Sequence, residues 1–487
     1  MRGFPSENTH ASSRRQFNWH SINWKRVEKK VKELQIRIAK AVREGSYRKA
    51  QSLQWLLTHS FYSKLLAVKR VVTNKGKRTP GSDGEIWKTP NQKMEASARL
   101  RRRNYRSQPL RRVYIRKKNG KLRPLSIPTM TDRAMQALYL FALAPVAETT
   151  GDPNSYGFRK YRSCADAIQQ CFICLAGHRC ARWVLEADIR SCFDRISHGW
   201  LFNNIPMDKK ILQSWLKAGY IDKGFAYPTQ AGTPQGGIAS PTLANMTLDG
   251  LESTVKSAVP RGSKVNIIRY ADDLVVTGKS KELLEVKIVP VINNFLKERG
   301  LELSEEKTKI ARIEDGFNFL GQHLKKHGGK LIITPSKGAV KALITKTGKI
   351  VKDHLGRSAW RLIKQLNPVI RGWANYHRHV VSKRTFAYID SRIFRQIWHW
   401  ARRRHPSKGR KWVKRRYFRS TGNRNWSFFA TLSSESGKPD LVDLYHADYT
   451  RIVRHAKVRS MANPYSIDWQ NYFAARKTVK YAEPIYV

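Results

Sequence analysis

Apolar residues recur near the start of the chain at helical intervals. Val27, Val31, Leu34, Ile38 and Val42 are separated by lysines and arginines, which predicts a helix from Trp24 to about Arg43 with one buried face. A second helical stretch, Tyr47 to Val72, runs into a glycine-bearing loop at 74–84. The period then shortens. Val113-Tyr114-Ile115 leads to Asn119-Gly120, a hairpin signal, and the chain returns through Lys121-Leu122-Arg123-Pro124-Leu125. Trp183 to Ala187 reads as an apolar strand that delivers Asp188 at its end, and Ala165 to Leu175 reads as a helix. Two short β-rich runs, Ile267-Ile268 and Leu274-Val275-Val276, flank Tyr270-Ala271-Asp272-Asp273, which places two carboxylates at the tip of a hairpin. Thr334-Pro335-Ser336 opens a new helical region, with Thr334 as the cap and Pro335 in the first turn. From there to about 405 the pattern is helical and basic, broken at Asn367-Pro368.

Adjacent carboxylates repel, which raises the pKa of one of them unless a cation intervenes. A divalent metal relieves that cost. The plain alternatives are a solvated acidic turn for Asp272-Asp273 and a helix cap for Asp188. Three carboxylates from two strand ends can instead hold two Mg2+ ions about 3.5–4 Å apart, the arrangement used for in-line phosphoryl transfer.

Seven ordered motifs resemble those of reverse transcriptases, specifically the reverse transcriptase/maturase proteins encoded in group II introns. Asp188 to Asp194 resembles polymerase motif A. Pro234-Gln235-Gly236-Gly237, with Ser240-Pro241 behind it, resembles motif B, and Tyr270 to Asp273 motif C. Leu303-Ser304-Glu305-Glu306-Lys307-Thr308 is similar to motif D, and Phe319-Leu320-Gly321 to the primer-gripping motif. Asn74-Lys75-Gly76 with Thr79-Pro80-Gly81-Ser82-Asp83-Gly84, and Ser155-Tyr156-Gly157-Phe158-Arg159, resemble signatures of the group II branch. The order holds from about residue 64 to 405.

The resemblance implies an α+β fold, a right-hand polymerase in four parts. A basic helical N-terminal extension spans 1–63, fingers and palm 64–330, a helical thumb or maturase domain X 331–405, and a basic DNA-binding region 406–487. It implies that Asp188, Asp272 and Asp273 are catalytic and, with Ile189, bind two Mg2+ ions. Lys117 and Arg123 are the implied grip on the triphosphate, with Arg116, Lys118 and Lys121 as alternative cations. Phe193 is placed under the sugar, against the alternative of plain core packing. Gln235 would touch the base pair or template, and Lys307 would donate a proton to the leaving pyrophosphate. Tyr270 would pack beside the primer end, whereas Asp194 and Asp249 read as structural. In the thumb, Arg371 and Trp373 belong to a string resembling one that recurs in the family.

Charge enlarges the expected partner. With 93 Lys+Arg against 36 Asp+Glu the formal charge is +57, which calls for a polyanion much larger than a nucleotide. Residues 401–420 hold ten lysines or arginines and no acid. Arg402, Arg403, Arg404, Lys411, Lys414, Arg415 and Arg416, interleaved with Trp412, are candidates to bind phosphates and stack on bases. The plain reading is a solvated cationic face packed by its aromatics. The 41% apolar content supports packed cores, so a disordered basic tail is excluded. No apolar run is long enough to span a bilayer. Met1 to Asn18 lacks the apolar core of a secretory signal and is expected to be a short leader. Five cysteines argue against a disulfide framework and for a reducing compartment, a bacterial nucleoid-associated cytoplasm before an organelle. Cys171, Cys174, His178 and Cys180 are too closely spaced on one helix and its exit for a typical zinc site, and the cysteines are expected to face a core. Residues 406–487 contain no cysteine, so a nuclease module of the His- and Cys-rich kind is not expected.

The expected function is therefore an RNA-directed DNA polymerase and maturase. It would bind its group II intron RNA, assist splicing, and copy the RNA into DNA at a nicked or replicating target, using a primed RNA template and dNTPs, as a monomer or a dimer. The rivals are an RNA-binding splicing factor with a vestigial polymerase site, and a relative recruited to host defence.

Overall fold

The computed structural model describes residues 18–116, 120, 122–422, 424–432 and 440–481. The expected leader, apart from Asn18, lies outside them, as do Lys117, Lys118, Asn119 and Lys121.

α1 (Trp24–Arg43) buries Val27, Val31, Ile38 and Val42 on one face, as their spacing predicts. Asn23 caps it, accepting a hydrogen bond from the Arg26 N–H at 3.1 Å. The expected single helix from Tyr47 is two, α2 (Tyr47–His59) and α3 (Phe61–Thr73). Ser60, with ψ of 130°, turns the chain between them so that both can reach the same partner, a correction apolar periodicity alone could not supply. α4 (Pro90–Arg99) begins on a capping box between Thr89 and Gln92. β1 (Leu110–Arg116) and β2 (Leu122–Ile127) pair antiparallel, Arg111 against Ile127 and Arg116 against Leu122, as the hairpin signal predicts. The partner of the N-terminal helices is α5 (Met130–Thr150), buried on most sides.

α6 (Cys164–Leu175) precedes β3 (Trp183–Asp188), and three short helices follow, α7 (Cys192–Arg195), α8 (His198–Asn204) and α9 (Lys209–Leu216). A small hairpin, β4 (Tyr220–Asp222) and β5 (Phe225–Tyr227), extends the β1–β2 sheet through a parallel pairing of β4 with β1. α10 (Ser240–Leu248) and α11 (Leu251–Ser257) lead to β6 (Asn266–Tyr270) and β7 (Asp273–Gly278). α12 (Val289–Lys297) and β8 (Lys309–Arg312) complete this region. The strand order β6-β7-β3-β8, antiparallel throughout, makes the palm sheet. Its side chains alternate between two cores. Leu185, Ala187, Ile267, Leu274 and Val276 enter the cluster shared with α5 and α10, while Val184, Ile268 and Val275 enter the one shared with α6. A one-residue slip of β3 against β7 would exchange both sets, so packing on two faces pins the register.

β9 (Phe317–Phe319), β10 (Gln322–His327) and β11 (Lys330–Pro335) form an antiparallel sheet at the base of the thumb. Thr334 and Pro335 end β11, paired with His323 and Gln322, rather than starting the helix. Ser336 is the cap of α13 (Lys337–Asp353), accepting from the Ala339 N–H at 3.2 Å. The strand wins because Ile333 is buried in it, and a proline at a strand end forfeits little.

α14 (Ala359–His377) runs through Pro368, where a break was expected. Burial of Leu362, Ile363, Leu366 and Ile370 holds both halves. The Asn367 side chain adds two bonds, donating to the Asp443 carbonyl at 2.9 Å and accepting from the Tyr445 N–H at 2.8 Å. α15 (Lys383–Arg404), α16 (Arg410–Tyr417) and a sheet of β12 (Phe418–Thr421), β13 (Arg424–Leu432) and β14 (Asp440–Asp443) follow. Leu343, Ile363, Phe386 and Trp400 share one core with Val413, Tyr417 and Phe428, so the helical thumb and the basic region after it pack as one body.

Beyond residue 450 the chain turns back as a strap. Val453 N–H bonds the Arg378 carbonyl at 2.9 Å, and Arg162 bonds the Ser460 carbonyl at 2.9 Å. Arg43 of α1 pairs with Asp468 at 2.8 Å. Phe473, in the closing helix α17 (Gln470–Tyr481), stacks on Tyr161 with ring centres 4.9 Å apart. Among the described residues no helix is long and apolar enough to cross a membrane.

Candidate active site

β3 and the β6–β7 hairpin bring the predicted carboxylates together. Asp188 ends β3 and stands opposite Asp273, the first residue of β7. Tyr270 pairs with Asp273, so Ala271 and Asp272 form a two-residue turn, with Ala271 at φ 58°. The Ile189 N–H bonds the Asp272 carbonyl at 3.2 Å, and the Ser304 N–H bonds the Asp188 carbonyl at 2.8 Å. These main-chain bonds tie motif A to the turn and to the loop bearing Lys307.

The group II signature at 155–159 supports the turn from behind. Ser155 forms a parallel bridge with Arg269, and the Tyr156 N–H bonds the Arg269 carbonyl at 2.9 Å. A Cβ added at Gly157 would collide with the Ala271 backbone nitrogen, so glycine is required for that approach. Arg159 is held by a buried ion pair with Glu148 at 2.8 Å. Buried Arg269 pairs with Asp249, the second of the two acids read as structural. Burial, with the neighbouring Asp152 charge, pushes Asp249 up to about 6 even against that arginine.

A cavity of about 1090 Å³ opens beside the turn. Arg123, Asp188, Ile189, Phe193, Gln235, Asp272 and Lys307 all line it, together with Asp194. Asp273 is placed by its strand register beside Asp188. Phe193 packs edge-on to Phe158, with centres 6.1 Å apart, against the palm core. The Gln235 backbone carbonyl accepts from the Ser126 N–H at 2.8 Å, while its side-chain Oε1 is buried without a partner. Gly236, at φ 122°, lets this loop close on β2.

The charges are unbalanced. Burial pushes Asp272 up from the ordinary carboxylate range, and the Asp188 charge adds to it. Burial and the Asp272 and Asp188 charges push Asp273 up to about 7. Lys307 Nζ donates to Asp188 Oδ2 at 2.5 Å, and that bond raises the lysine pKa. Among the described residues no three His, Cys, Asp or Glu side chains already surround a point that a metal could occupy. By chemistry and charge alone the donors fit a divalent cation, three hard oxygen donors in mutual repulsion, with the Lys307 ammonium against one of them.

The remaining predicted residues lie on the thumb and the region behind it. Arg371 is exposed and lies over the Tyr445 ring at 4.8 Å. Trp373 is half-buried against His377, with centres 4.1 Å apart. Arg402, Arg403, Lys411, Arg415 and Arg416 are exposed, and Arg404 bonds the Leu355 carbonyl at 3.2 Å. Trp412 turns toward His405, with centres 4.7 Å apart, and Lys414 lies over Trp426 at 4.6 Å. Cys171 is fully buried on α6, and Cys174 accepts from Gln170 Nε2 at 3.4 Å. Trp426 is not among the residues that the sequence singles out. Its polar neighbours in Arg424-Asn425-Trp426-Ser427 carry the signal of an exposed aromatic near the start of β13, the central strand of its sheet.

The order of parts matches that of known proteins. The model of the reverse transcriptase (RNA-dependent DNA polymerase) family matches residues 115–324, that of the N-terminal domain of reverse transcriptase 19–100, and that of the group II intron maturase-specific domain 340–418. Protein YkfC of Escherichia coli is 32% identical over 303 residues, 53% of this chain and 79% of that protein. The chain belongs to the group II intron reverse transcriptase and maturase family. As a family member it carries an RNA-directed DNA polymerase domain. The group II intron-encoded protein LtrA of Lactococcus lactis is 30% identical over 378 residues, 61% of each chain. The putative COX1/OXI3 intron 1 protein of Saccharomyces cerevisiae is 26% identical, over 60% of this chain and 40% of that one. Among solved structures, a telomerase from Candida albicans aligns over 64% of both chains at 11% identity, with a TM-score of 0.38, a likeness too distant to build on.

Proposed function

We propose that this reverse transcriptase/maturase copies RNA into DNA at the Asp188, Asp272 and Asp273 cluster, and binds a group II intron RNA whose splicing it assists. The observation that carries the reading is the meeting of Asp188 with the Asp272-Asp273 turn, at one rim of a cavity that also holds Arg123, Phe193, Gln235 and Lys307. Asp188, Asp272 and Asp273, with the Ile189 backbone carbonyl, would hold two Mg2+ ions. Bound there, the pair would acidify the primer 3′-hydroxyl and neutralise the triphosphate. Arg123, with Lys117, grips the triphosphate, and Phe193 underlies the sugar of an incoming deoxynucleotide. Gln235 offers an unused buried oxygen toward the base pair or template. Lys307, its pKa raised by the bond to Asp188, would hand its proton to the pyrophosphate as the chain lengthens.

In this reading 1–63 is the N-terminal extension, 64–330 the fingers and palm, 331–405 the thumb and 406–487 the DNA-binding region. Arg371, Trp373 and the cations of 402–416 contact nucleic acid. The copied intron would enter DNA at a nicked or replicating target, which completes intron mobility. Primer extension on a primed RNA template with Mg2+, run beside splicing of the cognate intron, tests the reading. Wild-type protein should do both, and absence of cDNA refutes the polymerase assignment.

A further inference from the structure

A second cavity, about 940 Å³, lies on the far body of the molecule, between α15, α16 and β13. Phe394 and Trp398 from α15 and Trp426 from β13 wall it, and Arg410, Lys411 and Lys414 from α16 stand on its rim. Trp398 and Trp426 meet edge-on with centres 5.6 Å apart, and Phe394 lies nearly parallel to Trp398 at 14°. Trp426 is 40% exposed. A large apolar ring left in water beside three cations has a cost that a stacking partner bearing phosphates would offset.

Its size falls within the roughly 300–1,000 Å³ of small-ligand sites, room for a nucleotide. Its setting points to something longer than a free nucleotide. The rim cations continue into exposed Arg415 and Arg416 on the same helix, and exposed Arg402 and Arg403 lie on the helix before it. That is a track for a phosphate backbone, with an aromatic slot at its side. Most of the lining, Ala387 to Lys414, falls inside the match to the maturase-specific domain.

We propose that this slot captures one unpaired base of a structured RNA, stacked on Trp426 in place of the Lys414 ammonium that lies over that ring, with Trp398 and Phe394 behind it, while Arg410, Lys411 and the displaced Lys414 hold the flanking phosphates. The proposal rests on the RNA-binding half of the function given above, and gives RNA a share of 406–487, read there as the DNA-binding region. It assigns stacking to Trp426, Trp398 and Phe394, while Trp412 faces His405. Base recognition can come from Asn425, exposed on the cavity wall.

The test compares binding of the full-length protein to two labelled RNA hairpins, alike except that one carries a single bulged adenosine. Wild type should favour the bulged hairpin by about 5- to 150-fold, the range for one base–aromatic stack. Trp426→Ala should abolish that preference and Trp426→Phe should restore most of it. Lys411→Gln with Lys414→Gln should lower affinity for both hairpins, which share the phosphates. A preference that survives Trp426→Ala overturns the proposal, as does undiminished RNA affinity in the double lysine variant or a stronger preference for the corresponding DNA hairpin. Wild type that binds and copies RNA without favouring the bulge refutes the slot alone. Wild type that neither binds nor copies RNA refutes the functional reading itself.

Discussion

Two carboxylate sites, one in the palm and one under the strap, answer burial in opposite ways. Asp166, at the start of α6, is wholly buried, and burial pushes its pKa up. Yet it ends at about 2, because His455, Ser163 and the Val458 N–H all donate to it. Arg476 adds an ion pair at 2.8 Å. Asp273 reaches the surface at one edge, yet is pushed up to about 7, with Asp272 and Asp188 as its neighbours. The difference is in the donors supplied. Where the fold meets a buried charge completely, the residue is structural. Where it leaves like charges facing one another around a cavity, it leaves work for a cation from outside.

The sharpest way to break that contrast is to remove the palm charges. Asp272→Asn with Asp273→Asn should lower cDNA synthesis on the order of 10³-fold or more, since groups acting as a unit fail together. Intron RNA binding, measured by filter retention, should stay within about twofold. A comparable fall in RNA binding would mean that the acids serve folding instead. Asp166→Ala should act oppositely, costing about 3–5 kcal/mol of stability through the uncompensated Arg476 and His455. Thermal melting would check it, and a shift too small to measure would remove Asp166 from the structural class.

Lys307→Ala sits between the two, because its ammonium pairs with Asp188 in the free protein and, in the proposed reaction, would serve the pyrophosphate. A general acid is worth about 10²–10⁴-fold, so single-turnover extension should slow by at least the lower bound. A wild-type rate would assign the lysine to charge balance alone.

The subtlest outcome is in pH. Asp166, depressed in the fold, contributes stability that is complete above its unfolded pKa of about 3.9 and is lost as pH falls toward about 2. Asp273, raised in the fold, holds its proton longer than the unfolded chain does. Its unfavourable contribution therefore grows as pH rises from about 4 toward about 7. In chelator, melting of Asp273→Asn relative to wild type should gain with pH over that window, and Mg2+ should narrow the gap. A pH-independent difference would contradict the mutual repulsion described for the turn.

How much of this could be read from the chain depended on sequence distance. The α1 face, the α6 helix and the Tyr270–Asp273 turn follow from local periodicity and turn chemistry, and each lies where the sequence predicts. The Asp188 pairing was legible too, because two apolar strands ending in acid have one register that buries both faces. Pro368 was misread because the bonds that keep α14 continuous come from Asp443 and Tyr445, far along the chain. The Trp426 slot was missed for the same reason, being made of three elements no local pattern links. The strap is the extreme case. His455 and Arg476 look like scattered basic residues until Asp166 is known to lie beneath them.

That strap has a consequence for how the protein is made. Its anchoring groups leave the ribosome after the palm sheet is complete, and His455 follows Asp166 by 289 codons. The nascent polymerase must therefore wait with a deeply seated acid lacking its counter-ions, and translation that stalls before codon 450 would release a hand whose back has never been fastened.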